Sequence, residues 1–450
     1  MSASLTWLET CSYLRFISQE VMKVSLDKEL AKKVLVHINR DELAQLGCDL
    51  TSIPSPTGQE KAIGEFILDW FNTNGIKAVR QDVEFDRPNA IGIVKGDGTG
   101  LSLGFNGHTD TSFTGTVEDA RMVAKLEPES TLRGRVVGGK VQGLGISNMK
   151  GGVAAFMVAG KALKKSGVKL KGDVILAAVV GEISRTPIGP WQTKEYRGEG
   201  AGTRHLLTHG MHSDYAVVAD GSDMNIVWTQ NGVVQVKIQT FGKAEAAWGS
   251  NRATHPMDKM NAIVRMTRVI DAVERWGAEF ESKYVYNSPT GPLTPKVNIG
   301  GIEGGAPYRP NYFPGVCAIY VDIRMPPHVR PVQIQNELEK ILNATGIEYE
   351  MDIYKSLLGH EGKNVAPLVS CAEEVYQFLF GEKIKPEAPD RASIWTDTNV
   401  YNELGIPAIK IGPRGRRIGP RNEEIEIDTM VKAAQVYSLI ALDICSRQKS

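Results

Sequence analysis

Hydrophobic residues fall into two textures along this chain. Before about residue 228 and again after residue 354, short and almost unbroken apolar runs alternate with stretches in which apolar positions recur every three or four residues. LSLGFNGHTD (101–110), DVILAAVVGEIS (173–184) and SDYAVVADGSD (213–223) are runs of the first kind. They predict strands buried on both faces, as in a parallel sheet covered by helices. Helical spacing marks residues 24–47, 59–72, the stretch following GLGISNMKGG (143–152), 366–380 and 428–446. GIKAVRQDVEF (75–85), NAIGIVKGDG (89–98) and GIPAIKIGP (405–413) predict three further strands, so the fold class is α/β.

From Trp228 the apolar positions alternate with period two, in GVVQVKIQTFG (232–242) and VCAIYVDIRMPP (316–327). Predicted helices at 260–281 and 331–343 interleave with them, which suits a small α+β domain whose sheet keeps one solvated face. The expected division is 1–228 and 354–450 for the main domain, with 229–353 inserted into it. TSIPSPTGQE (51–60), the excursion at 113–142, the polar insertion at 185–204 and GRRIGPRNEE (415–424) are expected as loops.

Polar residues stand where the apolar runs stop. The first run ends in His108 and Asp110, the second in Glu182, the third in Asp220, while Asn148 opens a helix. The carboxyl ends of parallel strands are where an open α/β sheet keeps its chemistry. Side chains two apart in an extended segment point the same way, so Asp110 can hold one ring nitrogen of His108 while the other faces a ligand. Each of these residues alone can equally cap a strand or a helix. Together they form a convergent set of oxygen and nitrogen donors suited to a metal or a small substrate.

Composition narrows the function. Lysine plus arginine and aspartate plus glutamate both number 52, so no overall field draws the chain to nucleic acid or an anionic membrane. The five cysteines (Cys11, Cys48, Cys317, Cys371, Cys445) are scattered and odd in number, which argues against a disulfide framework and for a reducing compartment. Residues 1–22 are interrupted by Glu9, Arg15 and Glu20 and lack the apolar core of a signal peptide or spanning segment. A cytoplasmic protein with a small-molecule substrate is expected.

In order, GHTD, GLGISNMKGG, VVGEIS, VVADGS, an inserted α+β domain and GIPAIKIGP followed by NEE resemble the M20 metallopeptidase and amidohydrolase family, over residues 40–445. Its members include acetylornithine deacetylase, succinyl-diaminopimelate desuccinylase and carboxypeptidase G2. The resemblance implies a mixed, mostly parallel zinc-peptidase-like sheet flanked by helices and an inserted lid that dimerises. It also implies hydrolysis of an amide C–N bond at two zinc ions, bridged by an aspartate and a water that a glutamate activates.

The match is uneven residue by residue. His108 and Asp110 match the family's ligand and the acid behind it, Glu182 the second residue of its Glu-Glu pair, and Asp220 an acidic ligand. Asn148 stands for the bridging aspartate, Gly181 for the base, and Gly419 for the last histidine ligand. The lid histidine falls near Ala246 or Trp248, with His255 the nearest alternative. A neutral amide cannot hold two cations together, so one ion, zinc or else manganese or cobalt, is expected on His108, Asp220 and Asn148, leaving Glu182 a weak second site. Asp110, Glu182 and Glu199 are candidates for the missing base, Glu182 foremost.

Arginine forks grip carboxylates. Arg414 and Arg416, in a run with Arg417 and Arg421, are candidate contacts to an acidic substrate, as are Asn298 and Arg309, while Arg324 and Asp397 suit bracing roles. A second reading stays open: a catalytically inactive member of the family that binds a ligand or partner on a retained scaffold.

Overall fold

The computed structural model describes residues 26–123, 133–183, 197–419 and 421–449. The expectations for residues 1–22 and Cys11, and for most of the 185–204 insertion, lie outside the described residues. Six strands form the central sheet, in the order Lys77–Glu84, Arg87–Val94, Val174–Val179, Leu103–His108, Tyr215–Val218 and Ala408–Lys410. The last four run parallel, and the first two are added antiparallel at one edge. This is the mixed, mostly parallel α/β sheet the apolar runs predict.

Every residue of Leu103–His108 and Val174–Val179 is buried, which explains why these strands are apolar without alternation. The helices that cover them sit close. Gly152, in the helix Gly151–Ser166, leaves room for the carbonyl of Ala219, which a Cβ there would approach to 2.0 Å. Phe105 of the central strand stacks with Phe156 of that helix and meets Tyr437 of the closing helix Ile427–Ile444, at ring-centroid distances of 6.5 and 5.2 Å.

Several boundaries differ from the sequence expectation. Residues 24–47 do not make one helix: Lys28–Leu35 and Arg40–Ser52 are separated by a turn, and Asn39 caps the second by accepting from the Glu42 N–H. GRRIGPRNEE is not a loop. Its residues form the strands Gly415–Gly419 and Asn422–Glu426, which pair with Lys140–Gln142 and Arg135–Val137 in a separate four-stranded sheet. Charged side chains on its exposed strands hide the alternation.

The inserted domain has its own core. Its antiparallel sheet runs Lys296–Gly304, Val316–Met325, Gly232–Phe241, Tyr349–Leu357. Val234, Val236 and Ile238 alternate inward against Met266, Val269 and Val273 of the helix Ala262–Lys283 and Leu338 of Pro331–Ala344. The edge strand Lys296–Gly304 escaped the sequence reading because its glycines and exposed side chains blur the pattern, and the last strand runs past residue 353 to Leu357. The pair Thr229–Gln230 and His360–Glu361 joins this domain to the main one.

Gly152→Ala forces a methyl onto a backbone carbonyl that cannot rotate away. The variant is expected to lose about 1–3 kcal/mol of stability or more in urea unfolding; an unchanged midpoint would show that the helix can slide off the sheet.

Candidate functional site

Because four strands are parallel, their carboxyl ends share one edge of the sheet. His108 ends its strand there, Glu182 and Asp220 follow theirs within three residues, and Arg414 follows Ala408–Lys410 by four. The Thr109 N–H donates to Val179 O at 2.9 Å and the Ile411 N–H to Val218 O at 3.1 Å, so the polar turns leave from fixed points.

His108 is almost fully buried. Its Nδ1 lies 3.0 Å from the Asp110 carbonyl oxygen and 3.4 Å from Asp110 Oδ1. Its Nε2 lies 3.0 Å from Asn148 Oδ1 and 3.7 Å from Glu182 Oε2. The Asp110 carboxylate is itself fully engaged: it accepts from Thr57 Oγ1 at 2.9 Å and from the Glu182 and Ile183 N–H groups at 3.2 and 3.0 Å. Burial would raise the Asp110 pKa, but these bonds and the imidazole hold it below the usual carboxylate range. A carboxylate so engaged is suited to orienting its neighbours.

Glu182 and Asp397 face the same imidazole. Burial, the largest effect, pushes both above the carboxylate range, and the other acids of the cluster add to it. Asp397 Oδ2 accepts from Thr203 Oγ1 at 2.7 Å, and Thr203 in turn accepts from Asn106 Nδ2 at 2.7 Å. Burial opposes a charge on His108, yet the carboxylates of Glu182, Asp110 and Asp220 outweigh it and lift its pKa to about 10.

A residue the motifs did not single out holds Asn148 in place. Glu423 Oε2 accepts from the N–H groups of Ser147 and Asn148, at 3.0 and 3.3 Å. Its signal was the NEE triplet, read only as a landmark. Nearby, Lys150 is fully buried and donates to the carbonyls of Leu50 and Ile53 at 3.0 Å each; burial pushes its pKa down to about 7.

Ser147, Asn148, Glu182, Asp220, Arg324 and Arg414 line a cavity of about 300 Å³ whose apolar wall is Ile394 and Trp395. Arg324 reaches it from the inserted domain while bonded to Asp322 at 2.7 Å. Other candidates stand apart. Asn298 and Arg309 are exposed on the inserted domain, and Arg416 is paired with Glu424 at 2.7 Å and largely exposed. Glu199 lies 3.9 Å from Lys355, outside the cavity lining. Trp248 packs edge-to-face on Tyr312, and neither it, Ala246 nor His255 lines the cavity.

An imidazole, an amide oxygen and carboxylates are donors of the kind a divalent ion takes. Two ligands each about 2.1 Å from one ion stand about 3.0–3.5 Å apart, close to the separations of His108 Nε2 from Asn148 Oδ1 and Glu182 Oε2. Among the described residues no three His, Cys, Asp or Glu side chains gather as a ligand group. A second ion would find neither a bridging carboxylate nor a histidine at Gly419.

Gly181, at the position expected for the base, has a φ of +63°, and a Cβ there would meet Arg197 O and Arg87 Nη2 at 2.7 and 2.9 Å. Gly181→Glu is therefore expected to cost about 1–3 kcal/mol in thermal unfolding, and Gly181→Glu with Asn148→Asp to leave metal content unchanged; a second bound ion would overturn this. A second prediction concerns acidity in the metal-free protein. Since the folded-state value of His108 is raised from 6.5 to about 10, its contribution to stability is complete below 6.5 and is lost as pH rises through 10. His108→Asn should flatten that decline in denaturation curves taken from pH 6 to 10, and an equally steep decline would refute it.

Comparison with known proteins agrees with this architecture. N-formyl-4-amino-5-aminomethyl-2-methylpyrimidine deformylase of Bacillus subtilis (strain 168) is 27% identical, covering 93% of this chain and 98% of its own. Succinyl-diaminopimelate desuccinylase of Buchnera aphidicola subsp. Acyrthosiphon pisum is 24% identical over 90% of this chain and 99% of its own. Human carnosine dipeptidase 1 shares the fold, with a TM-score of 0.68 at 14% identity, covering 92% of this chain and 99% of that one. Residues 104–443 match peptidase family M20/M25/M40, and the chain belongs to that family.

Proposed function

We propose that the protein hydrolyses an amide C–N bond of a small, carboxylate-bearing molecule at a centre holding one divalent ion, with Glu182 as the proton carrier. The observation that supports this most is the approach of Glu182, which lines a cavity sized for a small molecule, to His108, with Oε2 3.7 Å from Nε2. His108, Asn148 Oδ1 and Asp220 would hold the ion, zinc by preference for a nitrogen and oxygen set, with manganese or cobalt as alternatives, leaving Glu182 free to carry the proton. When bound, the ion polarises the amide carbonyl and acidifies a water.

The chain's own residues do the rest. Asp110 fixes the imidazole so that Nε2 points to Asn148 and Glu182, two residues of the cavity lining. Glu182, whose proton affinity is raised by burial, takes a proton from the attacking water and returns it to the leaving nitrogen. Ile394 and Trp395 exclude water from one side. The two curated relatives are named as a deformylase and a desuccinylase, both removing acyl groups from small amines, which supports this class over peptide cleavage.

The inserted domain would form a homodimer. Ile302, Val316, Trp248, Tyr308 and Tyr312 are exposed on it, and Lys296–Gly304 is an open sheet edge. Cys48, Cys317, Cys371 and Cys445 are free and buried, in keeping with a cytoplasmic location. No helix among the described residues is long and apolar enough to cross a membrane.

Elemental analysis of the purified protein should find one ion per chain, lost in His108→Ala. Glu182→Gln should lower kcat on an N-acyl amino acid panel by about 10²–10⁴-fold with KM nearly unchanged. Two tightly held ions, or full activity in Glu182→Gln, would refute the mechanism; one ion without turnover of any N-acyl compound would favour the ligand-binding reading.

A further inference from the structure

The reaction cavity is not alone. A larger one, of about 740 Å³, adjoins it, and Ser147, Asn148 and Arg414 line both. The larger cavity is walled by charge, and most of that charge is internally matched. Lys140 pairs with Glu424 and Glu426 at 2.9 and 3.2 Å, Arg416 with Glu424 at 2.7 Å, and Arg417 with Glu423 at 3.4 Å. Arg391 stands 3.7 Å from Asp223.

Arg414 differs from all of these. Among the described residues it forms no ion pair, and its Nη1 is buried with no hydrogen-bond partner. A guanidinium N–H left dry and unmatched is costly, and five donors in a planar fork are suited to an anionic oxygen group. In the smaller cavity Arg324 is already bonded to Asp322, which leaves Arg414 as the cation without a protein partner at the junction.

The backbone under Arg414 is fixed from both sides. Gly412 fits against the Asp220 carbonyl, which a Cβ there would meet at 2.2 Å, and its own carbonyl accepts from the N–H groups of Ser222 and Met224 at 3.1 and 3.0 Å. Gly415 fits against the Glu424 carbonyl, which a Cβ would meet at 2.1 Å. Arg414 is thus pinned between the Asp220 turn and the Ser147–Asn148 segment. Its position cannot drift away from the reacting groups.

We propose that Arg414 anchors an anionic oxygen group, carboxylate or phosphate, of the substrate at the junction of the two cavities, and that the larger cavity is an extended subsite for the part of the molecule carrying it. The substrate class is then an amide whose scissile bond lies against His108 and Glu182 and whose anionic end reaches Arg414. This assignment rests on the hydrolase reading for its reaction, but anion binding can be measured without any turnover.

Calorimetric titration of succinate and of inorganic phosphate tests it, using the protein as purified and after chelator treatment. Wild type should bind one of them in both states; succinate alone identifies a carboxylate subsite and phosphate alone a phosphate subsite. Arg414→Ala should weaken that binding about tenfold or more, Arg414→Lys less, and Arg275→Ala, an exposed charge control on the inserted domain, not at all. Unchanged thermal unfolding of Arg414→Ala shows that the fold is kept. If turnover is found, Arg414→Ala should raise KM for N-acetylglutamate and leave that for N-acetylglycinamide unchanged. No binding of either anion to wild type, or equal binding to Arg414→Ala, overturns the subsite whether or not the hydrolase reading survives.

Discussion

Charge balance at the carboxyl edge of the central sheet is the constraint on which the rest of the site depends. Asp110, Glu182, Asp220 and Asp397 are gathered around a single imidazole, all of them buried or nearly so. Carboxylates taken out of water must be protonated, hydrogen-bonded or neutralised by a cation. The structure uses the first two routes. Asp110 is saturated by a hydroxyl and two N–H groups, Asp397 shares the Thr203 hydroxyl, and Glu182 has a raised proton affinity. Arg324 and Arg414 bring positive charge to the same space.

Behind these groups lies a layer of buried ion pairs that fixes where the strands end. Glu60 receives Arg87 at 2.7 Å beside Gly181, and Glu387 receives Lys410 at 2.8 Å at the end of the last parallel strand. Buried pairs of this kind contribute little net stability, because desolvation offsets the attraction. Their effect here is positional. With Arg87 against Gly181 and Glu423 on the Ser147 and Asn148 amides, the turns carrying Glu182 and Asn148 have few alternative arrangements.

The α/β core was legible in the sequence because burial on both faces leaves an unmistakable apolar run, and the runs at 101–110, 173–184 and 213–223 each contain the observed strand. His108, Asn148, Glu182 and Asp220 were legible because strand and helix ends place polar residues at one edge, and those four do come together. The hairpin at 415–426 was hidden, since a strand pair with an exposed outer strand and ion-paired side chains carries the composition of a loop. The placement of Asn298 and Arg309 was not legible for a different reason: residue type suggests what a side chain can bind, whereas only the register of Lys296–Gly304 and its following turn says that they are exposed, apart from the cavity lining.

Gly181 shows the limit of position-by-position matching in physical terms. Spacing within a motif fixes where a residue lies along the chain but not the direction of its Cβ, and at a φ of +63° that direction is turned toward Arg87. Its neighbour Glu182 therefore holds the place facing His108. The same logic links the site to the inserted domain. The junction strands Thr229–Gln230 and His360–Glu361 are tied to the segment around Asp397: Thr396 Oγ1 donates to Gln230 Oε1 at 2.6 Å, and Asn399 Oδ1 accepts from the His360 N–H at 3.0 Å. Asp397 thus sits on the segment that also sets the orientation of the domain supplying Arg324. The same segment carries Ile394 and Trp395, so the residues that tie the inserted domain to the main one adjoin those that wall the cavity.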